Sequence, residues 1–188
     1  MEKQHEMDQF IENVAAIVQK GGDERFITAQ VAAALGVLLK SNYELPTKYR
    51  VPNKNKYVLY PVYVAPDESF SVASAVWDVG QAAPIHDHRT WGVIGIVQGT
   101  EYEVSYVRPT DEEEKPLKEL EKSYLYEGDV AVCCTTDQDV HEVSCASSIP
   151  CVGLHIYGGN IGKITRYMYE KATGKKKAVV TKWDKVTN

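Results

Sequence analysis

No stretch of this 188-residue sequence approaches the roughly 18 consecutive apolar residues that a membrane-spanning helix needs. The opening segment, MEKQHEMDQF, is polar and mixed in charge, unlike a secretory leader, so a cytoplasmic location and no membrane partner are expected. Basic residues are too few for a nucleic-acid partner: Lys+Arg 21 against Asp+Glu 26 leaves a formal charge of −5, and backbone-phosphate recognition needs a clustered positive excess. The four cysteines, Cys133, Cys134, Cys145 and Cys151, lack the C-x2-C spacing of a zinc site, and two are adjacent. They read as reduced, partly buried thiols, with a Cys145–Cys151 bridge as the alternative. Histidine is scarce too, at five residues, yet its positions are far from scattered.

What is present is ordinary globular material. A composition of 44% hydrophobic and 25% charged residues excludes disordered, collagenous and coiled-coil classes, and a chain of this length can bury a core without staples. From His5 the residues Met7, Phe10, Ile11, Val14, Ile17 and Val18 recur at helical steps until Gly21-Gly22 interrupts them. A second helical run, Thr28 to Lys40, carries the stripe Val31, Leu35, Leu38 and Leu39. These two helices, within residues 1–45, are expected to form a cap packed on the rest, without chemistry of their own.

Beyond Pro46 and Pro52 the texture changes to short β-rich runs: Tyr57–Val64, Phe70–Asp78, Thr90–Gln98, Glu101–Val107, Val130–Thr135, Val140–Ser144 and Val152–Tyr157. Close spacing and Pro-Asp, Gly-Thr and Gly-Asp punctuation indicate a closed barrel or two-sheet jelly roll over residues 46–188, one structural domain together with the cap. The acidic run Thr110–Pro116 reads as a solvated hairpin excursion, since its like charges disfavour packing. The basic tail from Lys163 is expected to cover one end of the barrel.

Within the β-region stands Gly80-Gln-Ala-Ala-Pro-Ile-His86-Asp-His88. A strand alternates its faces, so His86 and His88 point one way and Asp87 the other, where it is expected to bond a neighbouring backbone amide. His141 lies on a later strand after the turn Glu127-Gly128-Asp129. Two imidazoles on one face plus a distant third suit a divalent metal, and the positions they leave open make the site catalytic in type. Imidazole ligands alone accept Fe, Ni, Co, Cu and Zn, so spacing does not name the ion.

The pattern Gly80-x5-His-x-His-x3-Gly92-x6-Gly99 resembles the first cupin motif, and Gly128 through His141 resembles the second. Gly92 stands where most cupins carry a glutamate ligand, which leaves a three-histidine site. With Pro84-Ile-His-Asp-His88, Trp91-Gly-Val-Ile-Gly95, Leu154-His-Ile-Tyr157 and Tyr157-Gly-Gly-Asn-Ile-Gly162, the sequence is similar to the cysteine dioxygenase branch, nearest to bacterial 3-mercaptopropionate dioxygenases, over roughly Tyr57 to Arg166. The resemblance implies a mainly β cupin barrel with two N-terminal helices and Fe(II) on His86, His88 and His141. A small thiol and O2 would be the partners and a sulfinate the product.

It also implies an outer relay, Ser-x-His-x-Tyr in the family, whose positions here are Gly153, His155 and Tyr157. His155 and Tyr157 remain as the catalytic pair, and the serine is absent. The family's crosslinking cysteine corresponds to Gly92, so no crosslink is expected. Its substrate selector, arginine or glutamine on the strand before Phe70, is absent from Tyr57–Val64. Tyr60 or Tyr63 is expected to fill that place, with Arg166 holding a substrate carboxylate. The missing serine and selector keep a second class open: a three-histidine cupin of other chemistry, such as diketone cleavage, or a metal-bound small-ligand sensor.

Overall fold

The computed structural model describes residues 2–41, 43–110, 114–136 and 139–186. Helices α1 (Glu2–Lys20) and α2 (Glu24–Lys40) precede ten strands: β1 (Val58–Val64), β2 (Ser71–Trp77), β3 (Gly92–Gln98), β4 (Thr100–Tyr106), β5 (Glu119–Tyr126), β6 (Val130–Cys133), β7 (Val140–Cys145), β8 (Cys151–Tyr157), β9 (Arg166–Tyr169) and β10 (Lys176–Val179). One sheet runs β1-β2-β8-β3-β6, a second β5-β4-β7, and β10-β9 form a ribbon. All of these pairings are antiparallel. The architecture is the mainly β, double-stranded β-helix barrel of the cupin class, with two helices added.

Alternation within the five-stranded sheet explains both of its faces. In β2, Val72 and Val76 join the cluster formed with the helices, while Ala73, Ala75 and Trp77 join the barrel interior. In β8, Val152, Leu154 and Ile156 turn to the helices, and Cys151 and Tyr157 turn inward. Both strands are buried at every residue because the helices cover the face that would otherwise meet water. The helices come close: a Cβ on Gly95 of β3 would lie 2.7 Å from Leu35 and 2.8 Å from Leu39, so only glycine admits α2 at this separation.

Helix α2 starts at Glu24, four residues before the expected Thr28. Asp23 is its N-cap, accepting from Phe26 N–H at 2.8 Å, and this short acidic signal after Gly21-Gly22 supplies the extra turn. Strands β5, β9 and β10 lie outside the seven expected runs. β5 is an edge strand whose residues are mostly exposed, and β10 is equally polar, so neither carries the hydrophobic alternation that betrays a strand.

The tail packs onto the barrel. Asp184 exchanges backbone and side-chain hydrogen bonds with Leu59 (2.9 Å each), and Trp183 donates to Asn160 Oδ1 at 3.0 Å. The four cysteines are free thiols. Residues 111–113 of the acidic excursion lie outside the described residues. Among the described residues no helix is long and apolar enough to cross a membrane.

Candidate metal centre

The segment carrying His86 and His88 is an irregular strand threaded between β7 and β9. His86 and His141 exchange both backbone hydrogen bonds (2.9 and 3.0 Å), Ala83 N–H donates to Val143 O at 2.8 Å, and Tyr169 N–H donates to Ile85 O at 2.9 Å. Because His86 and His141 are backbone partners across this ladder, residues 55 positions apart arrive side by side with their rings 4.8 Å apart. His88, two residues on, brings its ring to 4.9 Å from each of the other two.

The ligand atoms of His86, His88 and His141 all lie within 4.8 Å of one another, and Nε2 of His88 and His141 are 3.4 Å apart. That separation suits two nitrogens bound to one ion at metal–nitrogen distances of about 2.1 Å. All three residues are buried. Burial pushes His86 and His88 well below the ordinary histidine value, and His141 and Arg166 nearby add to the shift. Their rings are therefore neutral, the form that ligates.

Each ring has a partner at Nδ1. His86 Nδ1–H donates to Pro84 O at 2.8 Å, and His141 Nδ1–H donates to Glu103 Oε1 at 3.1 Å. His88 Nδ1 faces Cys133 Sγ at 3.5 Å. A ring whose Nδ1 proton is engaged presents the Nε2 lone pair, so the acceptor oxygens of Pro84 and Glu103 fix the tautomers of His86 and His141, and all three partners set the aim of the rings. Burial works to raise Glu103, but the hydrogen bond and the electrostatic attraction of His141 together outweigh it and hold the carboxylate below its usual value.

A small cavity of about 20 Å3, room for a water or two, opens on the three rings and is walled by Leu59, Ala75, Trp77, Ala83 and Val143. His155, Tyr157 and Arg166 also line it. His155 Nδ1 and the Tyr157 hydroxyl are hydrogen-bonded at 2.9 Å, and the Tyr157 ring lies 5.3 Å from that of His88. Burial raises Tyr157 far above an ordinary phenol, so it is a neutral O–H group. Arg166 is 3% exposed, its Nε has no hydrogen-bond partner, and no carboxylate pairs with it among the described residues. A buried guanidinium left this way is a ready receptor for an anion.

The family model for cysteine dioxygenase type I matches residues 3–170, from α1 through β9 and all of the site just described. The chain belongs to the cysteine dioxygenase type I family. Among solved structures, it is similar to a Thermus thermophilus protein (19% identity, 63% of this chain and 98% of the other, TM-score 0.47). It is also similar to a double-stranded β-helix protein of Klebsiella pneumoniae (14% identity, 74% and 97%, TM-score 0.46) and a cupin superfamily protein of Desulfitobacterium hafniense (13% identity, 64% and 94%, TM-score 0.44).

Within this cysteine dioxygenase family frame, two expected substrate residues fall on the wrong side of their strand. Tyr60 sends its hydroxyl to Val51 O at 2.9 Å, and Tyr63 packs against Phe70 with rings 5.5 Å apart. Both join the helix-side cluster, and the cavity instead receives Leu59 of β1 and Tyr57 just before it. Tyr60 has the opposite parity to Leu59. Tyr63 shares Leu59's parity, but a register slip between Pro61 and Tyr63 turns it outward opposite Val72.

Asp87 behaves as expected and does more. Its carboxylate accepts from Tyr167 N–H at 2.8 Å, and also from Tyr169 O–H at 3.0 Å and Arg108 at 3.1 Å. Arg108 bridges it to Asp139. Arg89, at φ +58°, lays its guanidinium over the Tyr167 ring, 5.6 Å from the centroid, outside the ligand set.

Glu103 and Cys133 were not foreseen. The signal for Glu103 was present in Glu101-Tyr-Glu103, two acids on one face of a strand whose neighbours are aromatic or apolar. Cys133 gave none, because its reach depends on pairing with Gly92: a Cβ there would lie 2.8 Å from Cys133 Sγ. The sulfur occupies space that any side chain on residue 92 would claim.

Proposed function

We propose that this protein is a non-haem Fe(II)-dependent thiol dioxygenase, adding both atoms of O2 to the sulfur of a small carboxylated thiol (R–SH + O2 → R–SO2H). The observation that carries the reading is the convergence, on one small cavity of a cysteine dioxygenase family member, of three buried imidazoles, a His–Tyr pair and a buried arginine whose Nε has no hydrogen-bond partner. Fe(II) on His86, His88 and His141 would supply positions for thiolate and oxygen and lower the thiol pKa. The remaining work belongs to the chain. Arg166 binds the substrate carboxylate and sets where the sulfur lies. Tyr157 O–H donates toward substrate or oxygen, and His155 orients it. The apolar walls exclude water, and Arg166 is the one Arg or Lys among the described residues that line the cavity, which favours cysteine or a 3-mercaptopropionate-like acid over a doubly anionic thiol. Four free thiols fit a reducing cytoplasm.

The test is oxygen uptake by the iron-loaded protein with cysteine, cysteamine, 3-mercaptopropionate and mercaptosuccinate. Thiol-dependent uptake with sulfinate as product is expected for the first and third. No thiol-dependent uptake across the panel overturns the reading in favour of another three-histidine chemistry or a sensor.

Arg166→Ala is expected to raise KM for 3-mercaptopropionate roughly 10- to 100-fold, the range of a lost charged hydrogen bond of about 1.5–3 kcal/mol. Inhibition by cysteamine, which has no carboxylate, should change by less than about threefold. Equal effects on both thiols would remove Arg166 from the binding role.

A further inference from the structure

Two buried polar atoms beside the relay have no hydrogen-bond partner, and they face the same point. One is His155 Nε2, on the far side of the ring from Tyr157; the other is Oε1 of Glu101, a carboxyl 1% exposed on β4. A Cβ on Gly153 would lie 2.7 Å from His155 Nε2 and 3.1 Å from Glu101 Oε1. The two atoms therefore meet over Gly153, the position where the resemblance places the missing serine, near enough for one bridging water to join them.

We propose that Glu101 takes the place of that hydroxyl: through one bridging water its carboxyl donates a hydrogen bond toward His155 Nε2 and so keeps the ring proton on Nδ1, beside the Tyr157 oxygen. Nδ1–H then donates to the phenol oxygen, and the Tyr157 hydroxyl is released to donate into the cavity. With the other tautomer the Tyr157 proton would be held on Nδ1 and directed away from the ligands. Glu101 is thus a positioning residue acting through His155, and the inference rests on the reading of Tyr157 as the cavity's proton donor.

The surroundings suit a neutral pair. Burial, with the charge of Glu103 added, pushes Glu101 up to about 8, so the carboxyl holds its proton at neutral pH. Burial, with His141 and Arg166 added, takes His155 down to about 3, so the ring stays uncharged. The neighbouring acid cannot substitute, since Glu103 is engaged by His141. Nor does a serine fit as the chain stands, because its Cβ would push against the imidazole edge.

The test is the 15N spectrum of the histidine rings in the full-length protein, metal-free and zinc-loaded. With five histidines in the chain, His155 can be assigned by difference from His155→Gln. The parent is expected to show Nδ1 protonated and Nε2 bare. Glu101→Gln, whose amide also donates, should preserve that tautomer; Glu101→Leu should move His155 toward the Nε2-protonated form and lower kcat roughly tenfold with KM within twofold, the scale of an outer orienting partner. A parent with Nε2 protonated, or a Glu101→Leu protein with an unchanged tautomer, overturns the proposal. The spectrum needs no turnover, so absence of thiol oxidation would count against the dioxygenase reading alone. The parent measurement also stands should the leucine variant fail to fold.

Discussion

Replacing His141 with alanine is expected to strip the metal while leaving the barrel intact. The fold is spared because His141 holds its neighbour through the main chain, His86 N–H to His141 O and His141 N–H to His86 O, and alanine keeps both bonds. The site is not spared. Of three Nε2 donors two remain, and Glu103 loses the ring N–H that its carboxylate accepts, leaving a partly buried charge without a partner. Outer partners of metal-bound histidines are worth 10- to 100-fold in affinity, and a ligand together with its partner is worth more. Metal per chain after desalting should fall at least tenfold, measured by elemental analysis on protein whose circular dichroism matches the parent. Metal content equal to the parent's would show that the third ligand lies elsewhere.

Asp87→Ala should be the most destabilising single change near the site, by about 3 kcal/mol. Asp87 is fully buried and is the common acceptor for a backbone N–H of β9, the Tyr169 hydroxyl and Arg108. Removing one member of a buried, hydrogen-bonded charge network costs 3–5 kcal/mol, because the remaining members keep their desolvation and lose their partner. The lower end applies here, since the Arg108 side chain is 28% exposed and recovers some hydration. At about 2–4 °C per kcal/mol for a chain of this size, Tm should drop by roughly 6–12 °C. Urea unfolding of the metal-free protein checks it, and a loss below about 1 kcal/mol would mean that β9 does not depend on this carboxylate. Metal affinity should weaken as well, because Asp87, which anchors this irregular strand to β9, lies between two of the ligands.

These two predictions depend on different layers of information. His86, His88, His155 and Tyr157 were legible in the sequence because i,i+2 spacing in an extended segment places side chains on one face whatever the rest of the fold does. The helices were legible too, except for the first turn of α2, where the cap residue Asp23 rather than the apolar stripe sets the start. Strands β5 and β10 were hidden because edge and surface strands carry charge on faces that meet water, which erases the alternation by which buried strands are recognised.

Tyr60 and Tyr63 show where local pattern stops sufficing. Their strand was right, but the face presented to the cavity is set by pairing with β2, and one register slip beyond Pro61 reverses it. The partners behind the ligands are equally nonlocal. Cys133 reaches His88 only because β6 pairs with β3 at Gly92, and Glu103 reaches His141 only because β4 lies beside β7.

By itself, then, the amino-acid sequence determined the donor set, its spacing on a strand and the β-rich class of the chain, since these follow from residue type and backbone periodicity. Only the tertiary structure decided that Glu103, Cys133 and Pro84 aim the ligands, that Tyr60 and Tyr63 face the helices, and that Glu101 and His155 meet over Gly153. Those contacts join residues that are mostly far apart in the chain, and they are fixed by register, bulges and close packing, which no single segment encodes.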